Sequence, residues 1–187
     1  VCDERGKAME ELIRGEVKNN FQALEIGSWA GMSTLIWAKE IKKHKGSLTC
    51  IDAWLPDSSM PLNNLLNKRD DRIYNLFRHN MKVSGVSDCI KIIRKWSDDA
   101  FPELKEQKYN MIYIDGDHRY TQVKKDVLNY MNLVVEGGIL CGDDLEIQML
   151  ETDMDYTRAN KEVDYVENKA TGVWYHPGIT LALSEIF

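Results

Sequence analysis

Residues 22–33 read QALEIGSWAGMS, and this stretch decides the fold. Its first half is an apolar run that predicts a strand, and its second half passes through Gly27 and Gly31 into a helical pattern. The two glycines permit a tight turn and a close approach of a ligand to the backbone. Their spacing, G-x-x-x-G, lacks the middle glycine of the G-x-G-x-x-G motif that holds a dinucleotide pyrophosphate. The stretch therefore predicts a strand-to-helix turn and disfavours an oxidoreductase that binds NAD or FAD.

The alternation of strand-like and helix-like patterns continues on both sides of this stretch. Strands are predicted over residues 22–27, 47–52, 90–96, 109–115 and 139–141, and helices over residues 8–17, 32–43, 69–83 and 120–133, with a loop over residues 57–67 and a short helix that Pro102 interrupts or closes. Apolar strands separated by helices favour right-handed crossovers and a parallel sheet that is covered on both faces. The predicted fold class is α/β, with a Rossmann-like, doubly wound and mostly parallel sheet.

The length of the chain suits one domain with a single core, which we take as residues 1–187. Residues 145–175 are acidic and match no predicted part of the sheet, which favours either a lid over the substrate or an inserted hairpin. Residues 176–180 (HPGIT) are predicted to open the last helix.

Charge and hydropathy limit the partners that the chain is expected to bind. Its net charge of -6 repels phosphate backbones, so no nucleic acid is expected. No apolar stretch approaches the ~20 residues that a membrane span requires, so no membrane is expected either. The four cysteines lack C-x-x-C spacing, which is typical of reduced thiols in a cytoplasmic protein. The sequence leaves open whether the protein is a homo-oligomer.

The predicted strands end in residues that bind ligands, at the edge where a parallel sheet places its ligands. Asp52 ends the second strand, in position to accept both hydroxyls of a ribose. Residues 115–118 (DGDH) end the fourth strand, and residues 142–144 (GDD) end the fifth. Carboxylates gathered in this way repel one another, and a hard divalent cation such as Mg²⁺ would relieve the repulsion. The alternative is that some of these acids cap the helices that follow.

The segments LEIGSWAGMS, ID, IDGDHRY and GGILCGDD, taken in this order, resemble the class I methyltransferases that use S-adenosylmethionine (SAM). The resemblance runs from about Phe21 to Asp144. It is closest to the metal-dependent O-methyltransferases of small molecules, which include the catechol and macrocin types. It implies SAM and Mg²⁺ as cofactors, and a small-molecule acceptor that is methylated on a hydroxyl of a sugar or a phenol.

The resemblance also implies a role for each matching residue. It implies cofactor contacts for Glu25, Gly27, Ser28, Gly31, Ser33, Asp52, Ser97 and Asp115, metal ligation for Asp115, Asp143 and Asp144, and proton abstraction for Asp117 or His118. We prefer His118 as the base because an unperturbed histidine has a pKa of about 6.5.

The sequence departs from these relatives in three places. Trp96 precedes Ser97, where many relatives have a small or acidic residue, and Asp144 replaces the asparagine of the catechol type, which favours the sugar-modifying branch. Relatives have two more strands after the fifth helix, so the C-terminal strands of the sheet are expected to be missing. Two alternatives stay open: a metal-independent methyltransferase that acts on nitrogen or carbon, and a non-catalytic module that binds SAM.

Overall fold

The computed structural model describes residues 3–55 and 71–187, and the predicted loop over residues 57–67 lies outside them. Its helices are α1 (Asp3–Glu16), α2 (Met32–Lys43), α3 (Arg72–Val83), α4 (Ser97–Leu104), α5 (Tyr120–Tyr130), α6 (Met154–Ala159) and α7 (Pro177–Ile186). Its strands are β1 (Gln22–Ile26), β2 (Ser47–Ile51), β3 (Ile90–Ile93), β4 (Tyr109–Ile114), β5 (Val134–Gly142), β6 (Val166–Glu167) and β7 (Trp174–Tyr175). Short 3-10 turns lie at Ser87–Cys89, Met131–Leu133 and Met149–Glu151.

Five parallel strands form the main sheet in the order β3-β2-β1-β4-β5. Ile26 of β1 pairs with Ile51 of β2 on one side and with Ile114 of β4 on the other, and Ile114 pairs with Gly142 of β5. The carboxyl ends of these strands therefore lie level along one edge. The strand order reverses at β1, which is the point where doubly wound sheets bind their ligands. The predicted fold class is confirmed.

Alternate residues of each strand pack into two cores, one on each face of the sheet. On the first face, Ala23 and Met111 pack with apolar side chains from α1, α2 and α3. On the second face, Leu24 and Ile112 pack with α4 and the end of α5. Burial on both faces explains why these strands are nearly continuous apolar runs. It also holds the strand ends, and the loops that follow them, in fixed positions.

The ends of the sheet differ in detail from the prediction. β5 begins at Val134, five residues before the predicted start at residue 139, and contains the Gly137–Gly138 pair. The pairing with β4 jumps there, because Tyr109 pairs with Val134 whereas Met111 pairs with Ile139. The Gly137–Gly138 pair therefore lies within β5, at an irregularity in its pairing with β4. Pro102 lies inside α4 and does not interrupt it, and the helix closes two residues later.

Residues 145–175 form a 3-10 turn, helix α6 and a small antiparallel hairpin of β6 and β7. The hairpin covers only residues 166–167 and 174–175, and both alternatives for the whole segment, a lid or an insertion, stay predictions. α7 begins at Pro177 with His176 as its N-cap, as the HPGIT pattern predicts. Across residues 3–55 and 71–187, every helix is too short or too polar to cross a bilayer.

Candidate functional site

The glycine turn after β1 closes against the protein itself. Gly27 and Gly31 have φ angles of 85° and 87°, in the left-handed region that favours glycine. A Cβ atom on Gly27 would lie 1.8 Å from the carbonyl oxygen of Asp115, and one on Gly31 would lie 2.4 Å from Cε of Met81. The predicted tight turn is confirmed. The missing side chains make room for the loop after β4 and for α3, and the approach of a ligand to this turn stays a prediction.

Glu25 of β1 is buried beside this turn and stabilises it through hydrogen bonds. Its side chain is 0% exposed, and its carboxylate accepts hydrogen bonds from the hydroxyls of Ser28, at 2.7 Å, and Thr34. Burial raises the pKa of Glu25, while hydrogen bonds from Ser28, Ser33 and Thr34 act in the opposite direction. Ser28 and Ser33 are also buried. Three of the predicted cofactor residues therefore form a buried hydrogen-bond network that fixes the loop, and their contact with a cofactor stays a prediction.

Asp52 lies at the end of β2, beside the turn. Its two carboxylate oxygens accept hydrogen bonds from the backbone N–H groups of Trp29, at 2.8 Å, and Trp54, at 2.7 Å. Burial raises the pKa of Asp52, and these backbone N–H groups lower it. A carboxylate has about four acceptor positions, so Asp52 keeps capacity for further donors. The two backbone anchors fix the position of this carboxylate, and its contact with a ribose stays a prediction.

The tryptophans near the strand ends divide into two kinds. Trp54 is buried against Tyr74 and Phe77, with ring centroids 5.1 and 5.0 Å away, and its indole N–H donates to the carbonyl of Trp29 at 2.7 Å. Trp54 is therefore a packing residue. Trp29 and Trp96 are 46% and 47% exposed, so each still presents ring surface to solvent near the strand ends.

The three predicted metal ligands meet at the ends of β4 and β5. Asp115, Asp143 and Asp144 each offer a carboxylate oxygen, and these oxygens all lie within 4.8 Å of one another. Burial raises the pKa of Asp115 to about 7, and the charge of Asp144 adds to the effect. We call these three residues the aspartate triad. Its carboxylates are of the donor type that a hard divalent cation prefers, and metal ligation by these residues stays a prediction.

Two residues that the sequence analysis did not single out also contact the aspartate triad. Arg5 of α1 forms ion pairs with Asp115, at 3.3 Å, and with Asp143. The hydroxyl of Tyr113 lies 3.2 Å from Asp115 and 3.3 Å from Asp143. Strand alternation places Tyr113 on the same face as Asp115, so its position follows from the sequence pattern. No local pattern indicates Arg5, because 110 residues separate it from Asp115.

The two candidate bases are both held by charged partners. Asp117 accepts a hydrogen bond from the backbone N–H of Arg119 at 2.8 Å and forms an ion pair with the Arg119 side chain. His118 contacts Asp164 through Nδ1, at 2.7 Å, and Asp144 through Nε2, at 3.2 Å. Burial lowers the pKa of His118, but the hydrogen bonds to Asp144 and Asp164 outweigh it and raise the pKa to about 9. The expectation of an unperturbed pKa of about 6.5 is therefore wrong for His118, because these two carboxylates raise it.

Ser97 is the first residue of α4 and is half-buried. Its hydroxyl accepts a hydrogen bond from Nε2 of Gln122 at 3.1 Å, and its carbonyl accepts one from the hydroxyl of Tyr130 at 2.7 Å. These contacts tie the start of α4 to α5. The predicted contact of Ser97 with adenine stays a prediction.

A cleft with a cavity volume of about 140 Å³ lies beside the aspartate triad. The triad, Asp117 and His118 form its polar wall. Its apolar wall comes from α5, β5 and the C-terminal helix and comprises Val123, Val127, Leu140, Ile179, Leu183 and Phe187. A small organic molecule with one polar group and an apolar body fits such surroundings.

Comparison with known protein families identifies the family to which this chain belongs. A family model described as a methyltransferase domain matches residues 24–145, from inside β1 to just beyond the aspartate triad. The chain belongs to this methyltransferase family. The match spans the glycine turn, Asp52, the aspartate triad and both candidate bases, so the predicted site residues all lie inside the methyltransferase domain.

Solved structures share the fold of this methyltransferase domain at low sequence identity. A Staphylococcus aureus protein assigned as a caffeoyl-CoA O-methyltransferase is 18% identical, with a TM-score of 0.65 over 100% of this chain and 74% of that chain. The cofactor-bound Rv0187 from MTB is 19% identical, with a TM-score of 0.60 over 78% of this chain and 57% of that chain. The methyltransferase PaMTH1 from Podospora anserina, bound to S-adenosylhomocysteine (SAH), is 19% identical, with a TM-score of 0.59 over 97% of this chain and 66% of that chain.

The chain thus spans less than two thirds of the length of two of these three proteins. No curated protein sequence matches it at a significant level.

Proposed function

We propose that this methyltransferase domain transfers the methyl group of SAM to a hydroxyl of a small molecule, with Mg²⁺ held by the aspartate triad. One observation carries the proposal. The ribose-type acid Asp52 and the three carboxylates of the triad lie at the level carboxyl ends of neighbouring strands, on either side of the glycine turn. The cofactor and the acceptor would therefore meet over β1 and β4.

The cofactor part rests on the family and on the surroundings of the turn. The Podospora anserina structure of the same fold holds SAH, the product that SAM leaves after methyl transfer. In this chain, Asp52 keeps acceptor capacity for the two ribose hydroxyls. The half-exposed rings of Trp29 and Trp96 offer surfaces on which an adenine ring stacks. The buried network under Glu25 keeps the loop preorganised before the cofactor binds.

The metal part rests on the donor set of the aspartate triad. Three carboxylates within reach of one another suit Mg²⁺, which prefers oxygen ligands. A Mg²⁺ ion held there would supply positive charge that lowers the pKa of an acceptor hydroxyl. The Staphylococcus aureus protein of the same fold, assigned as an O-methyltransferase, supports transfer to oxygen.

The residues of the chain contribute alignment and proton transfer. The apolar wall of the cavity, which includes Val127 and Ile179, holds the body of the acceptor and leaves its hydroxyl facing the acids. Alignment of two bound reactants lowers a barrier by roughly 7–11 kcal/mol in favourable cases. Asp117 or His118 takes the hydroxyl proton, since both line the same cavity; His118 does so only after it loses the proton that Asp144 and Asp164 stabilise on it.

Arg5 favours a second candidate, a methyltransferase that works without metal. Its guanidinium contacts Asp115 and Asp143, and its single positive charge offsets part of the negative charge of these two acids. In this arrangement Arg5 partly neutralises the aspartate triad without a metal ion. The acceptor of a metal-independent enzyme would be a nitrogen or carbon nucleophile, which does not need a metal to ionise it.

Calorimetric titration with SAH tests the cofactor part. We expect the Asp52→Ala variant to bind SAH about 10–100-fold more weakly than the parent, because hydrogen bonds to a charged group contribute about 1.5–3 kcal/mol each. The Asp88→Asn variant is the control, since Asp88 is an exposed acid that pairs with Lys42. Equal SAH affinity in the Asp52→Ala variant and the parent would refute the assigned cofactor site.

The same titration, repeated with Mg²⁺ and then with EDTA, tests the metal part. Mg²⁺ heat that disappears in the Asp143→Asn variant, together with turnover of a hydroxyl acceptor that EDTA stops, is the expected result. Turnover that survives EDTA would move the assignment to the metal-independent candidate.

A further inference from the structure

Two histidines from distant parts of the chain lie against each other next to the cavity. The ring centroids of His118 and His176 are 4.3 Å apart, and the rings are nearly perpendicular. His118 lies in the loop before α5, and His176 is the N-cap of α7. Gly178 makes this approach possible, because a Cβ atom there would lie 2.3 Å from the carbonyl oxygen of His118. The absence of a side chain at Gly178 therefore allows the two imidazoles to come together.

Each imidazole is oriented by its own carboxylate. Nδ1 of His118 lies 2.7 Å from Asp164, and Nδ1 of His176 lies 2.8 Å from Glu146. Glu146 also accepts a hydrogen bond from the backbone N–H of His176 at 3.1 Å, so its two oxygens hold both the ring and the main chain. A carboxylate on Nδ1 fixes the proton there and leaves Nε2 to bind a ligand. This pairing of carboxylate and histidine is the usual support of metal-binding histidines.

Asp144 completes a group of three ligand-bearing side chains. Its carboxylate lies 3.2 Å from Nε2 of His118. One ligand atom each from His118, Asp144 and His176 lies within 4.8 Å of the other two. The backbone of Asp144 has a φ of 63°, in the left-handed region that is costly for a residue with a side chain.

We propose that His118, His176 and Asp144 form a binding site for a first-row transition-metal dication, which shares only Asp144 with the Mg²⁺ site of the aspartate triad. Imidazole nitrogens suit Zn²⁺, Fe²⁺, Co²⁺ and Ni²⁺, whereas Mg²⁺ prefers oxygen ligands only. Two histidines and one carboxylate form a three-ligand set that leaves further coordination positions open. Because Nε2 of His118 becomes a ligand, Asp117 is left as the proton acceptor for methyl transfer.

Asp144 belongs to both groups, and the remaining ligands separate them. Asp143 belongs only to the aspartate triad, and His176 only to the histidine site. A variant at each position therefore removes one site and spares the other ligands. The histidine site also needs neither SAM nor an acceptor, so its existence is independent of the proposed function.

Titration of the full chain with Co²⁺, followed by visible absorption, tests the proposal. Co²⁺ bound by imidazole and carboxylate gives absorption bands that differ from those of the hydrated ion. We expect one Co²⁺ per chain with such bands in the parent and in the Asp143→Asn variant, and loss of the bands in the His176→Gln variant. The His79→Gln variant is the control, because His79 is an exposed histidine outside the site.

The supporting carboxylates give a second measurement that leaves both imidazoles in place. The Glu146→Gln and Asp164→Asn variants are expected to weaken Co²⁺ binding by about 10–100-fold, the usual effect of removing such a partner. Co²⁺ bands that persist in His176→Gln, or that disappear only in Asp143→Asn, would overturn the proposal. SAH binding by each variant, measured in parallel, separates a failed histidine site from a failed methyltransferase assignment.

Discussion

Replacing Gly27 by alanine is expected to destabilise the domain far more than the same change at Gly85. Both glycines have a positive φ, 85° at Gly27 and 69° at Gly85. They differ in their surroundings, because a Cβ atom on Gly85 meets nothing within 4 Å. Gly85 therefore reports the cost of the backbone conformation alone, and Gly27 reports that cost together with a steric overlap.

The overlap at Gly27 involves backbone atoms that have no freedom to rotate away. The new Cβ would lie 1.8 Å from the carbonyl oxygen of Asp115 and 2.8 Å from Cα of Gly116, whereas real Cβ contacts stay beyond 3.0 Å. The turn after β1 must then move away from the turn after β4. We expect about 1–2 kcal/mol for the left-handed conformation at either site. Overpacking adds about 1–3 kcal/mol at Gly27 alone.

Urea denaturation of the parent and the two variants measures this difference. The expected loss in the free energy of unfolding is about 1–2 kcal/mol for Gly85→Ala and about 2–5 kcal/mol for Gly27→Ala, a large part of the 5–15 kcal/mol typical of a domain. Gly27→Ala is also expected to weaken SAH binding, because the moved turn lies between Asp52 and the aspartate triad. Equal losses at the two positions would refute the close contact between the β1 and β4 turns.

Three further predictions concern charge and packing around the site. The Arg5→Met variant is expected to bind Mn²⁺ at the aspartate triad roughly tenfold more tightly than the parent, since one competing positive charge is removed. Calorimetric titration with Mn²⁺ checks this, and Arg14→Met on the same helix is the control. Equal affinities in Arg5→Met and the parent would contradict the prediction. Burial raises the pKa of Asp126 from 3.8 to about 6, so its protonated form stabilises the fold and this contribution is lost as the pH rises from about 4 to about 6. Urea denaturation across this range should show the free energy of unfolding of Asp126→Asn rising by about 2 kcal/mol relative to the parent, and a constant difference would exclude the effect. Gly178→Ala is expected to cost about 2–4 kcal/mol in the same assay, because its Cβ would meet the backbone of His118; an unchanged midpoint would show that the helix does not approach so closely.

Local signals in the sequence were sufficient to predict the strands of the sheet and most of the acids at the carboxyl ends of the strands. The strand-glycine-helix pattern around Gly27 and the alternation of apolar runs predict the elements that the structure contains. The acids at positions 52, 115 and 143 were predicted at strand ends, and each directly follows the last residue of its strand. These inferences succeed because hydrophobic period and glycine turns are properties of short segments.

The residues that balance charge in the site were beyond such signals. Arg5 reaches Asp115 across 110 positions, and the carboxylates of Asp164 and Glu146 come from a segment without a recognisable pattern. Long-range partners of this kind depend on how helices pack, which a local pattern does not encode. The pKa of His118 follows the same rule, since two carboxylates from outside its own loop raise it to about 9. The sequence thus predicted where His118 lies but not its protonation state.

The central place of β1 also sets the order of events while the chain is being synthesised. β2 follows β1 closely, whereas the other neighbour, β4, is complete only after the 63 residues from 52 to 114 have been added. At about 5–20 residues per second, this takes roughly 3–13 seconds. During that interval one backbone edge of an apolar strand is open to pairing with another nascent chain. The strand order that creates the ligand crevice therefore makes translation of residues 52–114 the period in which aggregation is most dangerous.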